Sequence, residues 1–424
     1  MTSETIYLDH NATTPVDPRV VAAMDECHRR AWANASSPHR PGQAARRVLE
    51  DARARIAELL GAELTGAKSD RLIFTSGTTE ANNLAILGIA RRRRGRRDGR
   101  SNSSSAPGQI IISSIEHASV IEPAEYLLAH GWRLDTLPVT GHGIVRTEAL
   151  PDLLSSSTAL VSVILGNHET GAVQPVRELA AVCDGAAVPL HTDAAQVVGK
   201  LEVHFRRLGV AALSFGAHKF GGPPGVGALL LRHDVELEPL AYGGPHEGGL
   251  RPGTEPVALV VGMKTALELA MAELDERVRR MTALRDRFER ALAAAVPEIV
   301  VHADAAPRLP QTSNVAFPGI DGQVLLVALD IAGVACSIGS ACSSGAVQIS
   351  PTLLAMGVPR ALAGSSLRFS LGSTTTEDDI DRAVRRIASV CSQIGGLISW
   401  SAASGAAPDR GGAGRTAVRP PRPA

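Results

Sequence analysis

Lysine is scarce in this chain, which limits where lysine-based covalent chemistry could occur. The 424 residues include 43 Lys and Arg side chains, but the lysines are only Lys68, Lys200, Lys219 and Lys264. Arginine stays protonated and forms no Schiff base at neutral pH. Lys219 follows the apolar run 211–215, in the segment SFGAHKFGG. The carboxyl end of a parallel strand borders a ligand crevice, so Lys219 is a candidate nucleophile, with an ordinary surface lysine as the alternative.

Three more polar groups follow apolar runs or open helices. Asp193 comes directly after the run 188–192 and could keep a heteroaromatic ring nitrogen protonated, or cap a helix. The residues SGTT at 76–79 precede a helical pattern, and a helix N-terminus with hydroxyls suits a phosphate, or is simply a good cap. His117 follows the run 109–114 and could stack on a ring and move protons, or be a core histidine.

Taken together, these groups match one cofactor, pyridoxal phosphate. It needs a lysine for the imine, a carboxylate beside the pyridine nitrogen and donors for its phosphate. Lys219, Asp193 and the segment 76–79 supply one of each. The sequence contains no P-loop motif, no H-E-x-x-H and no paired C-x-x-C, so no metal site is expected.

Two further residues are candidates for substrate chemistry. Cys342 lies in SIGSACSSGA, which has neither helical nor strand periodicity and therefore favours a reactive thiol in a mobile loop. Arg368 lies within the apolar segment SSLRFSLG, where an arginine usually pairs with an anion such as a carboxylate. Cys336 could be a resolving thiol or a plain core cysteine. The five cysteines are irregularly spaced, which predicts no disulfide framework and fits a reducing compartment.

The elements that must position these residues read as an α/β fold. Apolar runs without clean alternation predict strands buried on both faces, at 109–114, 159–165, 188–192, 211–215 and 226–231. Helical patterns lie between them, at 46–60, 80–90 and 176–183. This alternation predicts a large domain with a mostly parallel sheet.

The pattern changes after residue 260. Residues 263–295 predict one long amphipathic helix that leads into a smaller α+β domain. Its strands are expected near 299–302, 313–317, 333–337 and 367–371, with a closing helix over 377–397.

Charge and the terminal segments exclude several classes of protein. Basic and acidic side chains number 43 each, which argues against a nucleic-acid or membrane-surface binder. The arginine-rich segment 91–108 could be a nucleic-acid arm, but a solvated loop is the preferred interpretation. The tail 401–424 is expected to lack fixed structure. No apolar window is long enough to span a membrane, and polar residues occupy the start, so no signal peptide and a cytoplasmic location are expected.

Eight motifs occur in the order found in the cysteine desulfurases, pyridoxal-phosphate enzymes of the aminotransferase class V group. They are YLDHNATTPVDPRV, FTSGTTEANNLAI, EHASV, HTDAAQVVGK, AHKFGGPPGVGAL, RPGTE, SIGSACSSG and SSLRFSLG. The chain resembles this family from about residue 6 to about residue 397, and the loop around Cys342 resembles the long-loop branch. Selenocysteine lyase is a close relative.

The resemblance implies the fold of the aspartate aminotransferase-like transferases. It implies a large pyridoxal-phosphate domain over 17–260, with a flexible insertion at 91–108. Residues 1–16 and 261–400 would form the small domain, with a mobile catalytic loop at 336–345.

The resemblance also implies a role for each matching residue around the cofactor. Lys219 would be the Schiff-base lysine, and His117 would stack on the ring and take part in catalysis. The other cofactor contacts would be Asp193 at the ring nitrogen, Gln196 at the ring oxygen, Thr78, Thr79 and His218 at the phosphate, and Thr254 at the phosphate of a partner subunit. A homodimer is therefore the expected assembly.

For the substrate, the resemblance implies conversion of L-cysteine to L-alanine. Arg368 and Asn34 would hold the substrate carboxylate, and Cys342 would take the sulfur as a persulfide. The sulfur would pass to an acceptor such as an iron–sulfur scaffold, for cluster assembly or for other sulfur-containing cofactors or tRNA. L-Selenocysteine is an alternative substrate.

Two positions depart from the family pattern. His168 replaces an asparagine that usually contacts the cofactor, although it can still donate a hydrogen bond and could also bind the cofactor. Gly216 replaces a serine or similar group, so one phosphate hydroxyl would be missing, and Gly216→Ser would be expected to tighten cofactor binding. Both departures leave open a sulfur-trafficking or scaffold protein without turnover, and the segment 91–100 leaves open a nucleic-acid-associated protein.

Overall fold

The computed structural model describes residues 5–97, 108–339 and 349–403. Its strands are β1 Ile6–Tyr7, β2 Arg71–Thr75, β3 Gln109–Ser113, β4 Arg133–Leu137, β5 Thr158–Ser162, β6 Leu190–Asp193, β7 Ala212–Gly216, β8 Gly227–Leu231, β9 Val300–Val301, β10 Thr312–Ala316, β11 Val334–Ala335 and β12 Ser366–Ser370. Its helices are α1 Pro18–Arg30, α2 Arg40–Leu59, α3 Thr78–Arg97, α4 Ala118–Ala129, α5 Leu150–Leu153, α6 Val176–Gly185, α7 Phe205–Leu208, α8 Val257–Ala272, α9 Leu274–Ala295, α10 Gly322–Ile331, α11 Pro351–Ala355, α12 Arg360–Gly364 and α13 Glu377–Ala403.

The large sheet confirms the predicted α/β class. It has seven strands in the order β2-β8-β7-β6-β5-β3-β4. β8 runs antiparallel to both of its neighbours, and the other pairs are parallel. Every residue of β3, β5, β6, β7 and β8 is buried, which explains their lack of alternation. The five predicted strands are therefore confirmed, with bounds shifted by a few residues.

A second hydrophobic core forms around two smaller sheets. β9, β10 and β12 are antiparallel neighbours, and β1 pairs in parallel with β11. A bridge between Asp9 and Ser370 connects the chain after β1 to β12. The buried side chains of this core come from β1, α9, α10, β12 and α13. The four predicted strands and the closing helix are confirmed, and Ile6 and Leu8 lie in this core.

The predicted single helix over 263–295 is wrong, because the structure has two. α8 ends and α9 begins around Glu273, whose backbone is not helical (φ −107°, ψ 11°). α8 packs against α1 and α2, and its Met263 and Leu267 belong to the core of the large sheet. α9 instead contributes Leu284 and Phe288 to the second core. Because α8 and α9 pack on different cores, the chain cannot continue as one straight helix and breaks between them. The division of the chain into domains near residue 260 stays a prediction.

The segment 91–108 is partly helical rather than a loop from its start. α3 continues to Arg97, since arginine is a good helix former. Arg92 pairs with Glu236, and Arg93 donates to the Ala187 carbonyl at 2.9 Å. α13 likewise continues to Ala403, into the predicted tail. Residues 98–107 and 404–424 lie outside the described residues. None of the described helices combines the length and apolar character needed to cross a membrane.

Candidate active site

Lys219 lies where the sequence predicted, at the carboxyl end of β7. A short 3-10 turn over Ala217–Lys219 follows the strand. The Lys219 Nζ donates to the carbonyls of Asn11, at 2.6 Å, and Ala12, at 2.8 Å. These contacts hold a partly buried amine at the edge of the sheet, which contradicts the alternative of an ordinary surface lysine.

Asp193 ends the neighbouring parallel strand β6 and is buried. Its Oδ1 accepts a hydrogen bond from the Ala195 amide at 2.9 Å, in a turn rather than a helix cap. Its Oδ2 accepts one from the Asn82 Nδ2 at 2.7 Å. Asn82 lies one turn after Thr78 on α3, so the helix that begins at the candidate phosphate site also orients the carboxylate. The sequence analysis did not identify Asn82, although the spacing of four residues was a usable signal.

His117 is the N-cap residue of α4, and its Nδ1 lies 2.8 Å from the Ser119 Oγ. Its ring meets the ring of His168 edge to face, with centroids 5.1 Å apart and planes at 80°. Burial holds the pKa of His168 well below its usual value, and the charges of His117, Arg368 and Lys219 lower it further. His168 is therefore neutral. Its Nδ1 is buried without a hydrogen-bond partner among the described residues.

The candidate phosphate site is the start of α3. Among the described residues the buried Thr78 Oγ1 has no hydrogen-bond partner, and the first backbone amides of a long helix lie beside it. His218 lies nearby in the turn after β7, with its pKa lowered to about 4 by burial and by Lys219 and Lys200. A helix start with an unpaired buried hydroxyl fits a phosphate group.

Gly216 adjoins this hydroxyl, and this corrects the expectation for Gly216→Ser. A Cβ atom at residue 216 would lie 2.6 Å from the Thr78 Oγ1 and 3.5 Å from the Thr78 amide nitrogen. The Thr78 hydroxyl already occupies the space into which a serine at 216 would extend. A serine would displace this hydroxyl rather than add a second one.

Gln196 belongs to a hydrogen-bond network that the sequence analysis missed. Its Nε2 donates to the Asn11 carbonyl at 2.9 Å, and its Oε1 accepts from the Lys200 Nζ at 2.8 Å. Burial, with the charges of Lys219 and Arg368, lowers the pKa of Lys200 well below its usual value. Asn11 is buried, and its Nδ2 donates to the His168 carbonyl at 3.2 Å. The motif around Asn11 was noted, but no rule of spacing indicated that its carbonyl would meet both Lys219 and Gln196.

Arg368 is buried on β12 and reaches the same region. It donates to the Asp9 Oδ1 at 2.7 Å and to the His168 carbonyl at 3.1 Å. Its Nε has no partner among the described residues. Asn34 is exposed, and its Oδ1 accepts from the Ser36 amide at 2.8 Å. No hydrogen bond joins Asn34 to Arg368 in the described part of the chain.

The remaining candidate residues either lie away from these groups or fall outside the described residues. Cys342 falls in 340–348, outside the described residues. Cys336 packs against the second core, and burial first, then Asp9, raises the pKa of its thiol to about 12, which favours the structural alternative. Thr254 is exposed in this single chain. In the described residues no cluster of His, Cys, Asp or Glu could hold a metal ion.

A lysine and an aspartate at neighbouring strand ends, with a hydroxyl at a helix start, are the groups that pyridoxal-phosphate-dependent transferases use. The aminotransferase class-V family matches residues 6–383, and the chain belongs to this family. Within it, the chain belongs with the cysteine desulfurases, as the following relatives show.

The "IscS-like cysteine desulfurase" of Mycobacterium tuberculosis is 42% identical over 382 residues, covering 89% of this chain and 94% of the relative. The "Cysteine desulfurase NifS" of Azotobacter vinelandii is 36% identical over 406 residues, covering 96% and 97%. A solved "NifS-like protein" has a TM-score of 0.82 at 33% identity and covers 92% of this chain and all of its own. A NifS-like protein from Rickettsia africae has a TM-score of 0.80 at 30% identity, covering 91% and 99%.

Proposed function

We propose that this enzyme transfers the sulfur of L-cysteine to the Cys342 thiol, giving L-alanine and a Cys342 persulfide. One observation carries the proposal. Lys219, Asp193 and His117 follow the parallel strands β7, β6 and β3, so all three lie at one edge of the sheet. Its substrate is supported by relatives named cysteine desulfurases and by a similar solved structure, "SspA in complex with cysteine".

The described residues offer the groups that pyridoxal phosphate needs. Thr78, Thr79 and His218 would bind the phosphate, Asp193 the ring nitrogen and Gln196 the ring oxygen. His117 and His168 would lie against the ring. When bound, the cofactor supplies an electron sink next to the α-carbon of the substrate.

The chain's own groups would then move the protons and the sulfur. The Lys219 amine takes the α-proton, and Arg368 orients the substrate carboxylate. The Cys342 thiolate attacks the substrate sulfur, forming the S–S bond as the carbon–sulfur bond breaks and its electron pair passes to carbon. The β-carbon takes up a proton and becomes the methyl group, and Lys219 returns a proton to the α-carbon, so that alanine is released. One cysteine and one thiol thus give one alanine and one persulfide, with no other oxidant.

Two parts of the proposed function involve a second protein chain. Thr254 would contact the phosphate of a partner subunit in a homodimer, consistent with its exposure here. An iron–sulfur scaffold or a similar protein would accept the persulfide sulfur.

Borohydride reduction of the cofactor-loaded enzyme tests the assignment of the lysine. The label should appear on the peptide with Lys219 and be lost in Lys219→Ala. The matched control is Lys264→Ala, since Lys264 lies on α8 and pairs there with Glu268. Labelling that persists in Lys219→Ala, or that lies on Lys200, would overturn the assignment. Alanine release from cysteine and from selenocysteine, measured side by side, separates the two substrates.

A further inference from the structure

One buried carboxylate contacts the chain on both sides of the Cys342 segment. The Glu169 Oε2 accepts a hydrogen bond from the Ser350 Oγ at 2.5 Å. Glu169 is 2% exposed, and Ser350 and the nearby Thr352 are also buried. The chain that follows residues 340–348 is therefore held at Glu169.

The chain before residues 340–348 also lies beside Glu169. Ser337 exchanges two backbone hydrogen bonds with Arg368, at 2.7 Å and 3.1 Å. Two residues later the backbone of Gly339 passes directly over the carboxylate, since a Cβ atom there would lie 2.1 Å from the Glu169 Oε2. A side chain at 339 would therefore force the Glu169 side chain to move.

The residues on the two sides of 340–348 belong to different hydrophobic cores. Val334 belongs to the core of the small sheets, whereas Leu353 and Met356 belong to the core of the large sheet. The described chain before residue 340 therefore belongs to one core and the chain after residue 348 to the other, and Glu169 contacts both flanks. Its backbone is itself fixed, because its amide donates to the Asn167 Oδ1 at 3.0 Å.

The same carboxylate also reaches the ring pair over the candidate cofactor site. Its Oε1 lies 3.6 Å from the His168 Nε2, and His168 meets His117 edge to face. Burial raises the pKa of Glu169, while the hydroxyls of Ser350 and Thr352 and the charges of Arg368 and His117 oppose that shift. One side chain thus contacts both ends of the thiol-bearing segment and a residue of the cofactor site.

We propose that Glu169 is a positioning residue for sulfur transfer, which sets where the Cys342 thiol reaches by holding Gly339 and Ser350 beside His168. The inference rests on the proposed function, because it assumes that Cys342 takes the substrate sulfur. Nothing in it assigns Glu169 contact with substrate or cofactor.

Three variants of the full-length, cofactor-loaded enzyme test it: Glu169→Ala, Gly339→Ala and the double variant. Glu169→Ala and Gly339→Ala should each lower the single-turnover rate of persulfide formation about 10- to 100-fold, equivalent to about 1.4–2.7 kcal/mol. KM for cysteine and the absorbance of the bound cofactor should stay unchanged. Gly185→Ala is the control, since a Cβ there would meet nothing within 4 Å.

The double variant separates positioning from general damage to the fold. Without the carboxylate, a Cβ at 339 has room, so adding Gly339→Ala to Glu169→Ala should cost less than about twofold more. In the apoprotein, Glu169→Ala should also change the rate at which a maleimide alkylates Cys342, while the rate at Cys336 stays the same. Glu169→Gln, which keeps one acceptor oxygen, should recover part of the lost transfer rate.

Two results would overturn the positioning role. One is persulfide formation at the wild-type rate in Glu169→Ala. The other is multiplicative losses in the double variant, which would show that Gly339 and Glu169 act independently. If the wild-type enzyme itself forms no persulfide on Cys342, the proposed function fails instead, and the variants are not needed to show it.

Discussion

The Thr78 hydroxyl occupies the space into which a side chain at position 216 would extend, and Gly216 leaves that space free. The Thr78 hydroxyl is buried and unpaired, and it lies 2.6 Å from where a Cβ at 216 would be. We therefore expect Thr78→Ala to weaken pyridoxal-phosphate binding by about 0.5–1.5 kcal/mol, the value of one hydrogen bond. Gly216→Ser alone should not tighten binding, because it displaces the Thr78 hydroxyl.

The double variant Thr78→Ala/Gly216→Ser gives the diagnostic result, which cofactor titration by quenching of protein fluorescence can measure. The serine hydroxyl should then restore the affinity lost in Thr78→Ala. Tighter binding in Gly216→Ser with Thr78 intact would show that both hydroxyls fit and that the two positions are not exchangeable.

The ring of His168 also belongs to the candidate cofactor site. It is neutral because of burial, and it meets His117 edge to face. Asparagine keeps a hydrogen-bond donor at this position, so His168→Asn should bind cofactor and retain turnover. Removing the neighbouring ring should still shift the absorbance maximum of the bound cofactor. Loss of the cofactor in this variant would mean that the site requires the histidine ring.

At the scale of elements, the loop before α8 is held by a buried ion pair. The Arg53 guanidinium contacts both Glu247 carboxylate oxygens, at 2.7 Å and 2.8 Å, and the Phe74 amide donates to Glu247 at 2.9 Å. Glu247→Ala would remove the bidentate partner of the buried Arg53 and leave it with Glu50, at 3.0 Å, and the Leu72 carbonyl. We therefore expect a loss of about 1–3 kcal/mol in the free energy of unfolding. Urea titration measures it.

The matched control is an exposed pair of the same chemistry. Arg279 and Glu276 pair on the surface of α9, with side chains 75% and 68% exposed. Glu276→Ala should cost less than about 1 kcal/mol. If Glu247→Ala and Glu276→Ala lose the same free energy of unfolding, burial does not increase the stability that the Arg53–Glu247 pair contributes.

The sequence predicted the elements whose burial has a simple pattern. The buried strands were found because apolar runs identify them, whereas β4 was missed because it is a polar edge strand, RLDTL. The break at Glu273 was missed because α8 and α9 share one helical period but pack on different cores. Lys219, Asp193 and His117 were predictable from strand ends. Asn11 and Glu169 were not, because their contacts join parts of the chain far apart in sequence.

At the scale of the whole molecule, buried neutral histidines make stability depend on pH. Burial lowers the pKa of three histidines outside the candidate site, to about 4 at His10 and His302 and about 3 at His191. These groups bind more protons when unfolded, so stability rises with pH from about 4 to 6.5 and is lost on acidification through that window, by up to about 1.4 kcal/mol per pH unit each.

Glu116 opposes this trend. Burial raises its pKa to about 8, so its contribution is lost as the pH rises from about 4.5 to 8. Urea titrations at several pH values should therefore show stability falling below pH 6.5, with a shallower slope in His191→Gln and a steeper one in Glu116→Gln. Stability that is flat from pH 4.5 to 6.5 would contradict the histidine assignments.

The most direct test of the account locates the sulfur after one turnover. The cofactor-loaded enzyme receives a single pulse of L-cysteine, and mass spectrometry of its peptides is compared with the alanine released. The account predicts one added sulfur on the Cys342 peptide for each alanine, none on Cys336, and neither product in Cys342→Ser. Sulfur on Cys336, or full alanine release from Cys342→Ser, would contradict it.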